Sequence, residues 1–171
     1  ADKLSRAIFF VAAARSLGIP AWIDRVTGNL FYRHAEKDVP VDFDAAGNRE
    51  LETGRLQLNY APIPRLDDPE YFRHFSLSRF DGQSFALLNY PDFEPWSARF
   101  DTPTDLETGY YMLATGSRLA DGSVLANVSF LNIGPNRTTE TDLPMRDNSE
   151  AVRVIGSFNS ESKFIDARTG Q

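Results

Sequence analysis

The feature that most constrains the fold is an apolar segment close to the start of the chain. Residues 8–14 are all apolar, and the sequence around them predicts a helix that ends at Leu17. Asp2 is the expected N-cap, while Gly18 and Pro20 follow the last turn as helix-terminating residues. A helix that is apolar on every side belongs inside a larger core. We therefore expect this helix to be enclosed, and the chain to be a piece of a longer protein.

The composition excludes several classes of partner and site. The chain has 171 residues, a net charge of −6, two histidines and no cysteine. Nucleic acids and anionic membranes are disfavoured as partners because they require clustered Lys and Arg. No stretch approaches the ~20 apolar residues of a membrane span, so membrane insertion is not expected. Without cysteine there can be no disulfide, thiolate metal site or cysteine nucleophile, and we expect neither a metal site nor a cofactor.

The rest of the chain has the pattern of short strands. After the helix, strands are expected at residues 21–24, 29–32 and 39–43, the last at a sheet edge because of Pro40. Alternating patterns then predict about seven strands, at residues 55–60, 75–80, 84–90, 109–115, 123–133, 138–143 and 152–158. Asp-Gly pairs at 81–82 and 121–122 are typical of hairpin turns. The predicted fold is mainly β: an antiparallel β-sandwich preceded by one apolar helix and short strands.

Polar, turn-forming residues at 44–54 indicate a domain boundary. We expect an N-terminal α+β remnant at residues 1–46 and the β-sandwich at residues 54–160. Residues 161–171 are expected to form a tail, or a linker to a following domain.

Residues 15–21, RSLGIPA, resemble the R-x-x-G-I-P-A signature of bacterial transglutaminase-like proteins. In that family the apolar helix begins at the nucleophilic cysteine, and later strands carry the histidine and aspartate of a triad. The resemblance implies that residues 1–46 are the C-terminal part of a transglutaminase-like core. Residues 106–125 resemble prealbumin-like and carboxypeptidase-regulatory-like β-sandwich modules, which follow such cores in some exported bacterial proteins.

The resemblance places Lys3 at the position of the nucleophile, and His34 and Asp42 at positions that echo the other two triad members. His34 and Asp42 are eight residues apart, whereas the family spacing is roughly fifteen. A lysine ammonium is not an acyl nucleophile at neutral pH and is not favoured at a helix N-terminus. We therefore expect a degenerate site with no catalysis by this chain. The alternative is a hydrolase of the transglutaminase or cysteine-protease type, completed by residues outside the chain.

Aromatic residues suggest a binding role instead. Trp22, Tyr71, Phe93 and Trp96 are candidates for a platform that stacks on sugar rings or on peptide side chains. The alternative is structural, with Trp22 in the core and Trp96 closing one end of the sandwich. The sequence thus favours a structural or interaction module whose partners are neighbouring domains of the parent protein and a glycan or peptide ligand. The resemblance implies the periplasm or the cell surface of a bacterium.

Overall fold

The computed structural model describes residues 2–43, 51–118 and 122–146. Strands make up 47% and helices 13%, so the prediction of a mainly β fold is confirmed. The elements in chain order are α1 (Lys3–Ser16), β1 (Ala21–Ile23), β2 (Leu30–His34), β3 (Lys37–Val41), β4 (Thr53–Asn59), β5 (Phe75–Phe80), β6 (Phe85–Leu87), α2 (Trp96–Arg99), β7 (Thr104–Glu107), β8 (Gly109–Arg118), β9 (Val124–Ile133) and β10 (Thr138–Asp142).

The predicted signals at both ends of α1 are confirmed. Asp2 caps the helix, because its Oδ1 accepts a hydrogen bond of 2.8 Å from the backbone N–H of Ser5. The helix ends at Leu17, where Gly18 adopts a φ of +76° and the N–H of Ile19 returns to the carbonyl of Ala14 at 2.9 Å. Glycine is favoured at this position because side chains strain a left-handed backbone.

α1 packs on an antiparallel sheet with the strand order β1-β2-β3, and together they form what we call the N-terminal unit, residues 2–43. Ala7 and Ala14 are the buried side chains of α1, and the Phe10 ring meets the edge of Tyr32 at 6.3 Å. β3 lies at the edge of this sheet, as Pro40 predicts.

Within the described residues α1 is covered on one side only, so its enclosure in the larger core of a longer protein stays a prediction. Phe9 and Leu17 are each 76% exposed, and Leu4 and Ile8 are also exposed. The reason is geometric: a single three-stranded sheet covers one stripe of a helix, and the remaining apolar stripe faces outward.

The strands from β4 onward form a two-sheet unit, residues 51–118 and 122–146. One sheet has the order β10-β4-β7 and the other has the order β6-β5-β8-β9. Side chains from both sheets and their loops share one hydrophobic core, made of Leu56, Leu58, Tyr71, Phe75, Leu77, Leu88, Tyr90, Phe100, Leu106, Tyr111, Leu113, Leu131, Ile133 and Leu143. Burial of these large side chains is the main source of stability in this unit.

Two details differ from the predicted strand pattern. β10 pairs with β4 in parallel, because the chain turns a tight corner after β9 and enters the other sheet in the direction of β4. The short strand β7 was not predicted, and its four residues carry little alternation. The expected strand at 152–158 and the expected tail at 161–171 lie outside the described residues, as does Asp121 of the second predicted turn.

Alternation along β8 and β9 determines which side chains face the core. Odd-numbered residues of both strands point inward, and even-numbered residues point away from the core. The cross-strand register adds Phe80 of β5 and Phe85 and Leu87 of β6 to the outward side. We call this surface the outer face.

The two units meet through a small junction. Val26 packs against the core of the two-sheet unit, and its carbonyl accepts a hydrogen bond of 2.9 Å from the N–H of Asn89. The side-chain amide of Asn29 donates a hydrogen bond to the carboxylate of Glu107. Between the two units lies a cleft of about 610 Å³.

Candidate functional site

Two of the three triad-like positions line this cleft. Lys3 enters from the first turn of α1, and Asp42 enters from the residue after β3. Arg79, Asp81 and Glu107 of the two-sheet unit complete its charged lining. The cleft therefore combines ammonium, guanidinium and carboxylate groups between walls that are partly apolar.

Most of this charge is already engaged within the protein. Arg79 Nη1 lies 2.7 Å from Glu107 Oε2, and Arg79 Nη2 donates to the carbonyl of Thr108 at 3.0 Å. Backbone N–H groups of Ser84 and Gln83 hold the pKa of Asp81 below its usual range, and the ammonium of Lys3 lowers it slightly further. The cleft thus presents charged groups that are largely paired with one another or with the backbone.

His34 lies elsewhere. It is exposed at the end of β2, opposite Lys37 in the β2–β3 register, and it does not line the cleft. The structure therefore brings Lys3 and Asp42 to one cleft and leaves His34 outside it. The hairpin explains this, because His34 sits at the tight turn and Asp42 at the opposite end of β3.

Trp22 is neither enclosed in the core nor freely exposed. Its ring stacks on Phe31 at 5.9 Å, and the guanidinium of Arg33 lies 5.5 Å above it. This stack covers the side of the small sheet that faces away from α1.

Two of the other three aromatic candidates are structural. Tyr71 is 0% exposed, so its inclusion in a surface platform is wrong. Its hydroxyl donates to the carbonyl of Leu88 at 2.8 Å and accepts from the N–H of Leu77 at 3.0 Å. Burial raises the pKa of this phenol well above its usual range. Trp96 packs against the core with its Nε1–H bonded to the carbonyl of Leu58 at 2.7 Å.

Phe93 keeps its place as a binding candidate, and the structure adds Phe72 beside it. Phe93 is 61% exposed and Phe72 is 39% exposed. Both have a left-handed backbone, with φ of 61° and 62°. Tyr71 links their loops through two backbone hydrogen bonds. Its N–H donates to the carbonyl of Glu94 at 2.9 Å, and its carbonyl accepts from the N–H of Phe93 at 3.2 Å. Bulky residues rarely adopt this strained conformation, and such strain concentrates at functional sites.

The loops that carry these two phenylalanines are well braced. Arg99 forms a bidentate ion pair with Glu94, with both N–O distances at 2.7 Å. The same guanidinium lies 4.8 Å above the ring of Tyr90, whose pKa is raised by burial to about 12. On the other loop, Nδ1 of His74 accepts a hydrogen bond of 2.9 Å from the N–H of Glu70. We call Phe72, Phe93 and these supporting loops the phenylalanine tip.

Two further findings concern metals and membranes. Among the described residues, no group of three or more histidines and carboxylates is placed to hold a metal ion. In that same part of the chain no helix has the length and apolar character needed to cross a membrane.

Comparison with protein-family models, with curated proteins and with solved structures finds no match to this chain. The transglutaminase-like resemblance of residues 15–21 therefore stays a prediction from the sequence.

Proposed function

We propose that this chain is a non-catalytic interaction module of a larger bacterial protein, and that it binds a polypeptide at the phenylalanine tip. The transglutaminase-like parent with a degenerate core, and its place in the periplasm or at the cell surface, belong to the same proposal. The observation that carries it is the pair of exposed phenylalanines held on adjoining loops in a strained backbone. Strain of roughly 1–3 kcal/mol at each position is retained only where the surrounding structure enforces it.

The chemistry around the tip favours an apolar peptide side chain over a sugar. A phenylalanine ring offers an apolar surface and no hydroxyl or N–H for hydrogen bonding. The nearby carboxylates of Glu70 and Glu94 are already paired with Arg73 and Arg99. These two carboxylates are therefore already engaged, whereas leucine or aromatic side chains of a peptide can pack on the phenylalanine rings.

A selection experiment tests this proposal. A phage-displayed library of random peptides and an array of oligosaccharides would be probed with the chain and with Phe93→Gly. We expect enriched peptides that lose affinity by about tenfold or more with Phe93→Gly. Stability of the variant should stay equal or rise by up to about 1 kcal/mol, because glycine relieves the left-handed strain. Phe9→Ala, which changes an exposed phenylalanine of α1 outside the phenylalanine tip, is the control and should leave peptide binding unchanged.

Each other outcome argues against the proposal. Peptides that bind equally well to Phe93→Gly would place the site elsewhere. If oligosaccharides bound in a Phe93-dependent manner and no peptide were enriched, the ligand of the phenylalanine tip would be a glycan and not a peptide.

A second candidate function is favoured by one observation, namely that Lys3 and Asp42 line the same cleft. In this alternative the cleft is part of a hydrolase site that residues outside the chain complete. The test is amidase turnover by the full parent protein and by its Asp42→Ala variant. Turnover that is lost in Asp42→Ala would support the enzyme and contradict the non-catalytic proposal.

A further inference from the structure

The outer face is a second exposed surface, and it does not involve the phenylalanine tip. On β9 the side chains of Val124, Val128 and Phe130 are 51–54% exposed, and Tyr110 of β8 is 46% exposed. In most sheets with one wet side the outward residues are polar. Here Val124, Val128 and Phe130 of β9 point outward, while Asn127 and Ser129 lie on the inward side, which also carries the core residues Leu131 and Ile133. A contiguous exposed apolar patch of this kind marks an interaction site.

The outer face also differs from the rest of the molecule in charge. The whole chain has a net charge of −6, with 24 acidic residues. The even-numbered residues of β8 and β9, together with Phe80, Phe85 and Leu87, include no carboxylate, and Arg118 is their single charged residue. Two acidic copies of the chain therefore repel each other least when they meet at this surface.

The two ends of the outer face carry side chains of different size. At one end the rings of Tyr110 and Phe130 stack at 5.8 Å with an interplanar angle of 6°, and Phe85 lies 5.6 Å from Phe130. Together these rings form a ridge. At the other end the register places three small residues side by side, Ala114, Gly116 and Ala126, and Val124 Cγ1 lies 3.3 Å from the position that a Cβ on Gly116 would take. We call this low part of the face, bordered by Val124, the hollow. Ridge and hollow lie on the same strands, β8 and β9.

We propose that the outer face binds the outer face of a second copy of this chain. The two copies are related by a two-fold axis that lies in the plane of the interface and runs perpendicular to the strands. This axis places the aromatic ridge of each copy against the hollow of the other. The sheets then stack about 10 Å apart, as in other face-to-face packings. Such an isologous contact needs a self-complementary surface, and ridge and hollow on one face supply it.

The available area is sufficient for a specific dimer. Six large apolar residues of the outer face are about half exposed: Phe80, Leu87, Tyr110, Val124, Val128 and Phe130. With about 150–200 Å² for each fully exposed side chain, they offer roughly 450–600 Å² per copy. Two copies would bury roughly 900–1,200 Å², which is close to the ~1,000 Å² that a specific interface requires.

Sedimentation equilibrium of the 171-residue chain over a wide concentration range tests this dimer. We expect the chain to be in a monomer–dimer equilibrium. Val128→Lys should raise the dimer Kd by about tenfold or more, because a lysine would be buried without a partner. Ala126→Trp fills the hollow and should also weaken the dimer, although it adds apolar surface. Phe9→Lys on the exposed side of α1 is the control and should leave the Kd unchanged. Circular dichroism of each variant reports whether the fold is retained.

The alternative results contradict the proposal directly. A chain that stays monomeric at every concentration would show that no second copy covers the outer face. A tighter dimer with Ala126→Trp would indicate association by unspecific apolar contact. A dimer that is lost only with Phe9→Lys would place the contact on α1.

Discussion

In the two-sheet unit Leu77 and Phe100 are at most 1% exposed, whereas in the N-terminal unit Phe9 and Leu17 are 76% exposed. Both units are rich in apolar residues, and the difference lies in how many layers cover them. Two sheets enclose a core from both sides, while α1 has one small sheet on one side. A helix with an apolar sequence is therefore not necessarily a core helix, because burial depends on what is available to pack on it.

The contrast also shows where stability and recognition reside. The N-terminal unit is joined to the rest by Val26 and by the Asn29–Glu107 hydrogen bond, among few other contacts. The two-sheet unit holds the closed core, and it also holds both exposed aromatic surfaces, the phenylalanine tip and the outer face. The closely packed core holds the backbone of these surfaces in place, so that strained or apolar residues stay exposed to solvent.

The same substitution in the two units should have very different effects, and this is the largest difference that we expect. Phe100→Ala removes a ring that packs on Tyr71, Phe75 and Tyr90, at centroid distances of 5.3–6.4 Å. The free energy of unfolding should fall by about 3–5 kcal/mol, since the cavity cannot collapse fully. Phe9→Ala should change it by no more than about 0.5 kcal/mol, since the ring is largely exposed. Urea denaturation followed by tryptophan fluorescence measures both.

A large loss of stability in Phe9→Ala would break the comparison, because it would mean that α1 is enclosed after all. A small loss in Phe100→Ala would show that the two sheets do not share a tightly packed core.

Much of the architecture could be predicted from local chemistry. The cap at Asp2, the end of α1 at Gly18 and the edge position of Pro40 each depend on a few neighbouring residues, and all three are confirmed. The parallel pairing of β10 with β4 could not be predicted in this way. It depends on which sheet the chain enters after β9, and no short stretch of sequence encodes that choice.

The candidate sites were harder to predict, because exposure is a property of the whole fold. Tyr71 and Phe93 lie on two adjoining aromatic-rich loops, yet Tyr71 is enclosed and Phe93 is 61% exposed. Along β9 the alternation places Val124, Val128 and Phe130 on one side of the strand. Nothing in that pattern indicates that this apolar side faces solvent, since alternation gives the period and not the direction.

Loss of one tyrosine hydroxyl should also lower the free energy of unfolding by different amounts in the two units, although the difference should be smaller than for the phenylalanine substitutions. Tyr71→Phe leaves the N–H of Leu77 and the carbonyl of Leu88 without their partner inside the core. We expect a loss of about 1–3 kcal/mol in unfolding free energy, which is the cost of unsatisfied buried polar groups. The matched change in the N-terminal unit, Tyr32→Phe, keeps the ring contact with Phe10 and should be close to neutral. If urea denaturation gave equal losses of unfolding free energy for the two changes, the hydroxyl of Tyr71 would not be what holds its loop to the core.

The smallest effect that we expect concerns His74, in the two-sheet unit. Burial and the guanidinium of Arg73 lower the pKa of His74, and its Nδ1 can accept from the N–H of Glu70 only while it is unprotonated. The unfolded chain, with a histidine pKa near 6.5, therefore binds more protons than the folded chain in this range. This contribution to stability is complete above about pH 6.5 and declines as the pH falls toward the lowered pKa of folded His74.

Urea midpoints between about pH 8 and pH 5 should fall less steeply for His74→Gln than for the unsubstituted chain, since glutamine keeps an acceptor and does not titrate. A profile for His74→Gln that falls as steeply as that of the unsubstituted chain would show that the acid-sensitive contact does not involve His74.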